Sequence, residues 1–98
     1  MPPVFEWDQR KARSNVAKLG VTFVEAVSVF KDPLALIFDD PSTLRMRHGK
    51  SSSDIQQQTR LLLVSFTEPV QDKVRIISAR RATKGEKIDY EEHNANKT

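Results

Sequence analysis

The stretch Leu61-Leu62-Leu63-Val64-Ser65-Phe66-Thr67-Glu68-Pro69-Val70-Gln71-Asp72-Lys73-Val74-Arg75-Ile76-Ile77-Ser78-Ala79 decides the fold. Leu61 to Phe66 is almost unbroken hydrocarbon, the pattern of a strand covered on both faces and therefore central in its sheet. Glu68-Pro69 predicts a turn. Lys73 to Ala79 then reads as a second strand. Two strands joined this closely pair antiparallel, because a parallel return needs a crossover of a dozen residues or more.

Working outward, Thr43 to Gly49 and Leu34 to Phe38 are further strands, separated by the turn residues Asp39-Asp40-Pro41-Ser42. Lys50 to Thr59 is polar, rich in serine and glutamine, and reads as a flexible loop. Pro33 disfavours helix at Asp32 and ends the helix before it. That helix opens with a capping box, Thr22-Phe23-Val24-Glu25. The threonine oxygen can take the Glu25 amide while the Glu25 side chain reaches back. Val21 and Ala26 are spaced as a hydrophobic staple. Phe23, Ala26, Val27 and Phe30 form its apolar stripe.

An earlier helix follows Asp8, an N-cap, and ends before Gly20, the residue type that best tolerates the left-handed C′ position. Ala12, Val16 and Leu19 predict its inward face. Val4 to Trp7 is a short strand, with Trp7 in the core. Downstream, Thr83-Lys84-Gly85-Glu86 is a second capping box. It opens a last helix to about Glu92, whose apolar residues Ile88 and Tyr90 do not share a face. The expected order is strand, helix, helix, four strands, helix. This is an α+β fold with a mostly antiparallel sheet and a C-terminal helix. A single domain over residues 1–92 is expected, with 93–98 as a frayed tail.

The chain has 98 residues and no cysteine, which excludes disulfides and thiolate metal sites. The start of the sequence lacks the basic and apolar regions of a signal peptide, and no apolar run spans a bilayer. A cytoplasmic protein with no membrane contact is the expectation. His48 and His93 lie far apart with no metal-ligand spacing, so neither metal nor cofactor is expected. The net charge of +3 favours a polyanionic partner, although a merely solvated basic surface explains it as well.

Two basic clusters stand out. One holds Arg75, Arg80, Arg81, Lys84 and Lys87, opposed only by Glu86. The other holds Arg45, Arg47, His48 and Lys50. Guanidinium groups grip phosphate oxygens in pairs, which lysine does not do. RNA cleavage by the substrate's own 2′-hydroxyl needs positive charge on the scissile phosphate and groups that move protons. On that reading Arg80, Arg81 and His48 are candidate catalytic residues, and Arg45, Arg47, Lys50, Arg75 and Lys84 are candidate RNA contacts. Against it stands the solvated strand edge, where basic residues discourage sheet-to-sheet pairing. His48 and Tyr90 also make ordinary packing residues. A module that binds without catalysis remains the competing class.

Two stretches carry a resemblance. One contains Phe5-Glu6-Trp7-Asp8, Lys11-Ala12, Asn15, Lys18, Gly20-Val21, Phe23, Glu25-Ala26, Val29-Phe30 and Asp32-Pro33. The other runs from Arg75 through Lys84 to Glu86 and Tyr90-Glu91-Glu92. In order and spacing both resemble the BrnT family of type II toxins. The resemblance implies a RelE-like fold, endoribonuclease activity and translation arrest. It also implies a BrnA-type antitoxin, and contact with operator DNA only through the complex of the two.

Overall fold

The structure is a computed structural model and describes residues 3–39, 45–52 and 59–95. In chain order the elements are β1 (Val4–Glu6), α1 (Gln9–Leu19), α2 (Phe23–Val29), β2 (Leu36–Asp39), β3 (Arg45–Ser52), β4 (Thr59–Val70), β5 (Lys73–Arg81) and α3 (Lys84–Ala95). The order and the α+β class are those expected. The local signals sit where the sequence put them. Asp8 caps α1 by accepting from the Arg10 amide at 2.7 Å, and Gly20 ends it at φ 69°. Thr22 Oγ1 accepts from the Glu25 amide at 3.1 Å to start α2. The box before α3 is reciprocal: Glu86 N–H donates to Thr83 Oγ1 at 3.2 Å, and Thr83 N–H donates to Glu86 Oε1 at 2.8 Å.

All five strands form one sheet in the order β1-β5-β4-β3-β2, with the apolar β4 in the middle. The β2–β3, β3–β4 and β4–β5 pairs are antiparallel, and β1 alone runs parallel to its neighbour β5. The pleat sends alternate residues to opposite faces. Leu62, Val64 and Phe66 of β4 join Val74, Ile76 and Ala79 of β5 under Val21, Phe23, Ala26 and Val29 to make the core. Phe30 stacks edge-on between Phe5 and Phe66, and Trp7 meets Phe23 edge-on. Leu63, on the other face of β4, is buried separately.

Several expectations need correction. Ala12 packs against the core as expected, but the buried residue of α1 is Asn15, and Val16 and Leu19 stay exposed. Asn15 donates to the carbonyls of Val21 and Ala79, each at 2.8 Å, and accepts from the Ala79 amide at 3.1 Å. β1 covers the edge of β5 only from Lys73 to Arg75. Farther along that edge the Asn15 amide takes the place of a strand partner, so a polar contact outranks the apolar spacing that would turn Val16 and Leu19 inward.

Glu25 does not simply close its capping box. Its carboxylate is buried, accepts from Ser51 Oγ and forms a two-pronged ion pair with Arg60. Lys50, Ser51 and Ser52 therefore belong to β3, and Thr59 to β4, while residues 53–58 of the expected loop lie outside the described residues. β4 runs through Glu68-Pro69 to Val70 with irregular pairing, and the turn falls at Asp72, at φ 64°. β2 starts at Leu36 rather than Leu34. β5 continues to Arg81, and α3 passes the expected end at Glu92 to reach Ala95. Among the described residues no helix is long and apolar enough to cross a membrane.

Candidate active site

α1 and α2 cover one sheet face, and α3 lies over part of the other. On that second face a row crosses three strands: Arg80 of β5 is opposite Leu63 of β4, which is opposite His48 of β3. Two strand spacings separate Arg80 from His48, about 10 Å of backbone. Glu86 and Tyr90 of α3 stand over this row.

Arg80 donates through both terminal nitrogens to the two carboxylate oxygens of Glu86, at 2.8 and 2.9 Å. It also donates to the Arg81 carbonyl at 3.3 Å. A guanidinium carries five N–H donors, so capacity remains for an anion. The Arg80 side chain is 41% exposed and reachable. Arg80 and the Thr83 amide together hold the Glu86 carboxyl down at about 2, so Glu86 is an anion and not a proton donor at neutral pH.

His48 is 2% exposed, with its ring tilted against Tyr90 at 5.2 Å between centroids. Burial lowers its pKa, and the nearby Arg80 charge lowers it further against the pull of Glu86 and Asp89. The imidazole is therefore neutral near pH 7, the state a proton acceptor needs. Its Nε2 has no hydrogen-bond partner among the described residues.

Tyr90 donates to Asp32 Oδ2 at 2.7 Å, and burial followed by that bond pushes its hydroxyl up to about 12. Partial burial alone would raise Asp32. The Lys50 amide, the Tyr90 hydroxyl and the Leu34 amide outweigh it and hold the carboxyl below its usual range. Asp32 thus ties α3, β3 and the end of α2 together. The Cβ-free Gly49 permits this: a methyl there would sit 2.9 Å from Ala35 Cβ and 3.1 Å from Asp32 Oδ2.

The other sequence candidates divide between the faces. β4 separates β3 from β5, so the two basic clusters meet on one face only in part, through Arg80, His48 and Lys50. Lys50 shares the second face with His48. Arg45 and Arg47 point to the helix face. Arg45 pairs with Glu68 at 2.5 Å and lies over the Phe66 ring. Arg47 donates to the carbonyls of Val29, Phe30 and Asp32 at the end of α2. Arg81 is paired with Leu62 in register and so leans away from Arg80. Arg75 is at the far end of β5, bonded to Glu6. Lys84 is exposed at the start of α3.

Sequence reasoning missed Asp32 as a junction and Arg60 as the partner of a buried acid. A carboxylate set among apolar helix positions, as Glu25 is, announces a buried cation. An aspartate before proline announces a side-chain turn, seen here in Asp32 Oδ1 accepting from the Leu34 amide at 2.9 Å. Among the described residues no three histidines or carboxylates gather as a metal-binding group.

The fold is similar to the crystal structure of the Brucella abortus ribonuclease toxin BrnT. The TM-score is 0.65 at 21% identity, covering 86% of this chain and 100% of that one. Sequence comparison with curated proteins gives no match. A family model described as the ribonuclease toxin BrnT of type II toxin-antitoxin systems matches residues 7–86, which run from Trp7 to the capping glutamate of α3. That span takes in the whole sheet except β1, both covering helices and the Arg80 row, and the chain belongs to the BrnT family of ribonuclease toxins.

Proposed function

We propose that the chain is a metal-independent endoribonuclease of the cytoplasm, that it arrests translation by cutting RNA, and that a BrnA-type antitoxin neutralises it. In this reading operator DNA is met only through the toxin–antitoxin complex. The observation that carries it is the Arg80–Leu63–His48 row, which places a reachable guanidinium and a neutral imidazole on one sheet face. Arg80 takes the scissile phosphate with its uncommitted donors and stabilises the charge that grows on it. Glu86 orients the guanidinium. His48 takes the proton of the attacking 2′-hydroxyl once Tyr90 moves aside; the new bond to phosphorus closes a 2′,3′-cyclic phosphate as the P–O5′ bond breaks, and the leaving 5′-oxygen takes a proton from solvent. Lys50 and Lys84 add positive potential along the RNA, with Arg75 farther down β5. Arg81, Arg45 and Arg47 contribute at most to the general field.

A second reading, binding without cleavage, draws on one observation: α3 engages both candidate groups, Arg80 through Glu86 and His48 through Tyr90. Expression of the chain alone separates the two. The ribonuclease reading expects growth arrest and shortened mRNA, with in vitro cleavage unchanged by EDTA. It expects Arg80→Ala to lower the cleavage rate about 10²–10³-fold, as loss of one preorganised donor does. Arg80→Lys should fail similarly, because an ammonium does not reproduce the two-point grip. Cleavage by Arg80→Ala within threefold of wild type removes Arg80 from the mechanism. Normal growth at confirmed protein levels favours the binding module.

A further inference from the structure

An apolar depression lies far from the Arg80 row. It lies on the helix layer, between α1 and the start of α2, with a volume of about 500 Å³. Ala12, Val16, Ala17, Phe23 and Val24 line it, and Arg13 forms part of its wall. Val24 is 70% exposed and Val16 45%, although each begins or continues a helix whose other side is packed. Leu19, exposed at the end of α1, lies about one turn beyond Val16. Hydrophobic exposure concentrated in a groove marks a docking surface more often than a solvated one.

The charge around the groove selects the occupant. α1 carries Arg10, Lys11, Arg13 and Lys18 and no acidic residue. Arg10 precedes Arg13 by about one turn of α1, outside the lining of the groove. The nearest acids are already engaged, Asp8 in capping α1 and Glu25 in its buried pair with Arg60. A second copy of this chain would set the same basic flank against itself in a two-fold contact. RNA gains little from an aliphatic floor, and the Trp7 ring is already fixed against Phe23 at 6.0 Å.

We infer that this groove holds an acidic amphipathic segment of the antitoxin, its apolar side chains on Val16 and Val24 and a carboxylate on Arg13 in the groove wall. The mode is that of an amphipathic segment seated in an apolar groove, with charge fixing its direction. The inference rests on the toxin–antitoxin reading above and adds a location. Because the groove and the Arg80 row lie on opposite sides of the sheet, the grip on the antitoxin and the chemistry are separable by substitution.

The experiment titrates the full-length toxin with the full-length antitoxin of its own operon by calorimetry. Wild type is compared with Val24→Glu, Arg13→Glu and the control Ile88→Glu, which places the same new charge on the exposed side of α3. Val24→Glu and Arg13→Glu should each weaken binding at least 100-fold, and Ile88→Glu less than threefold. Thermal midpoint and RNA cleavage without antitoxin should match wild type for the two groove variants, since both side chains are at the surface. Wild-type affinity in Val24→Glu overturns the groove assignment, as does a loss confined to Ile88→Glu, which moves the interface to α3. A drop in RNA affinity with antitoxin binding intact assigns the groove to RNA instead. A wild-type dimer in sedimentation that Val24→Glu dissociates assigns it to a second copy. Failure of the wild-type pair to bind removes the toxin–antitoxin reading and the groove assignment together, an outcome distinct from all of these.

Discussion

Glu86 does two jobs with one carboxylate: it caps α3 and fixes Arg80. Both favour its charged form, which is why its pKa falls from 4.5 to about 2. A depressed carboxylate stabilises the fold above its unfolded pKa, and that contribution is lost as pH falls through the folded value. The window here runs from about pH 4.5 down to about pH 2. The Arg80 side chain is 41% exposed, so solvent screening keeps the effect well below what the shift alone implies. We expect the thermal midpoint of Glu86→Gln to vary less with pH across that window than wild type, with a difference of about 4–8 °C if the contribution is near 1 kcal/mol. Parallel curves for the two proteins would mean that the pair contributes nothing to folding. Arg80 was legible as a candidate because it stands between a strand and a capped helix. Glu86 was legible only as the one acid opposing the basic cluster around Arg80, since sequence spacing does not say which donors remain uncommitted.

The α1–β5 junction depends on Asn15. One amide side chain satisfies both the N–H and the C=O of Ala79, as a neighbouring strand would, and also takes the Val21 carbonyl. Asn15→Ala should orphan buried backbone groups at a cost of about 1–3 kcal/mol each. Hydrogen exchange at Ala79 and neighbouring amides should accelerate with the loss of global stability. A change in midpoint no larger than that of an exposed helix substitution would show that water replaces the amide without penalty. Helix caps, the order of elements along the chain and the central position of β4 were all readable, because they depend on local chemistry and on periodicity. The facing of α1 was not, since a buried polar anchor looks like a surface residue until its backbone partner is known. The limits of β3 and β4 were hidden for the same reason: Ser51 is buried by its bonds to Glu25 and the Arg60 carbonyl, not by its own character.

Across the whole molecule, the fold class came from consecutive strands with short connections, and the one parallel pair escaped that logic. β1 returns to β5 from the opposite end of the chain, and Glu6 meets Arg75 across a separation of 69 residues. Contacts of such long sequence separation close the largest loop and form late in folding. Phe5, packed edge-on against Phe30 at 5.1 Å, reports on this step. Phe5→Ala should speed unfolding about tenfold or more while slowing folding less than twofold, the signature of a contact absent from the transition state. A folding rate that falls in proportion to stability would place β1 in the nucleus instead. The faces of the sheet, and with them the separation of Arg81 from Arg80, also needed the register of all five strands. A bulge opposite Ser65 resets the alternation along β5, and no sequence pattern announces it.

The parallel seam between β1 and β5 also sets a schedule for synthesis. β1 leaves the ribosome first, and its partner follows 69 residues later, about 3–14 s at ordinary elongation rates. Until then Phe5 and Trp7 have no sheet to pack on, and the edge of β5 is not yet made. α1 and α2 begin to form without that wait, because their caps and the Val21–Ala26 staple are local. During translation of each copy, the helical segments that flank the apolar groove are thus made before the strand that carries Arg80, and they settle only when Asn15 meets Ala79.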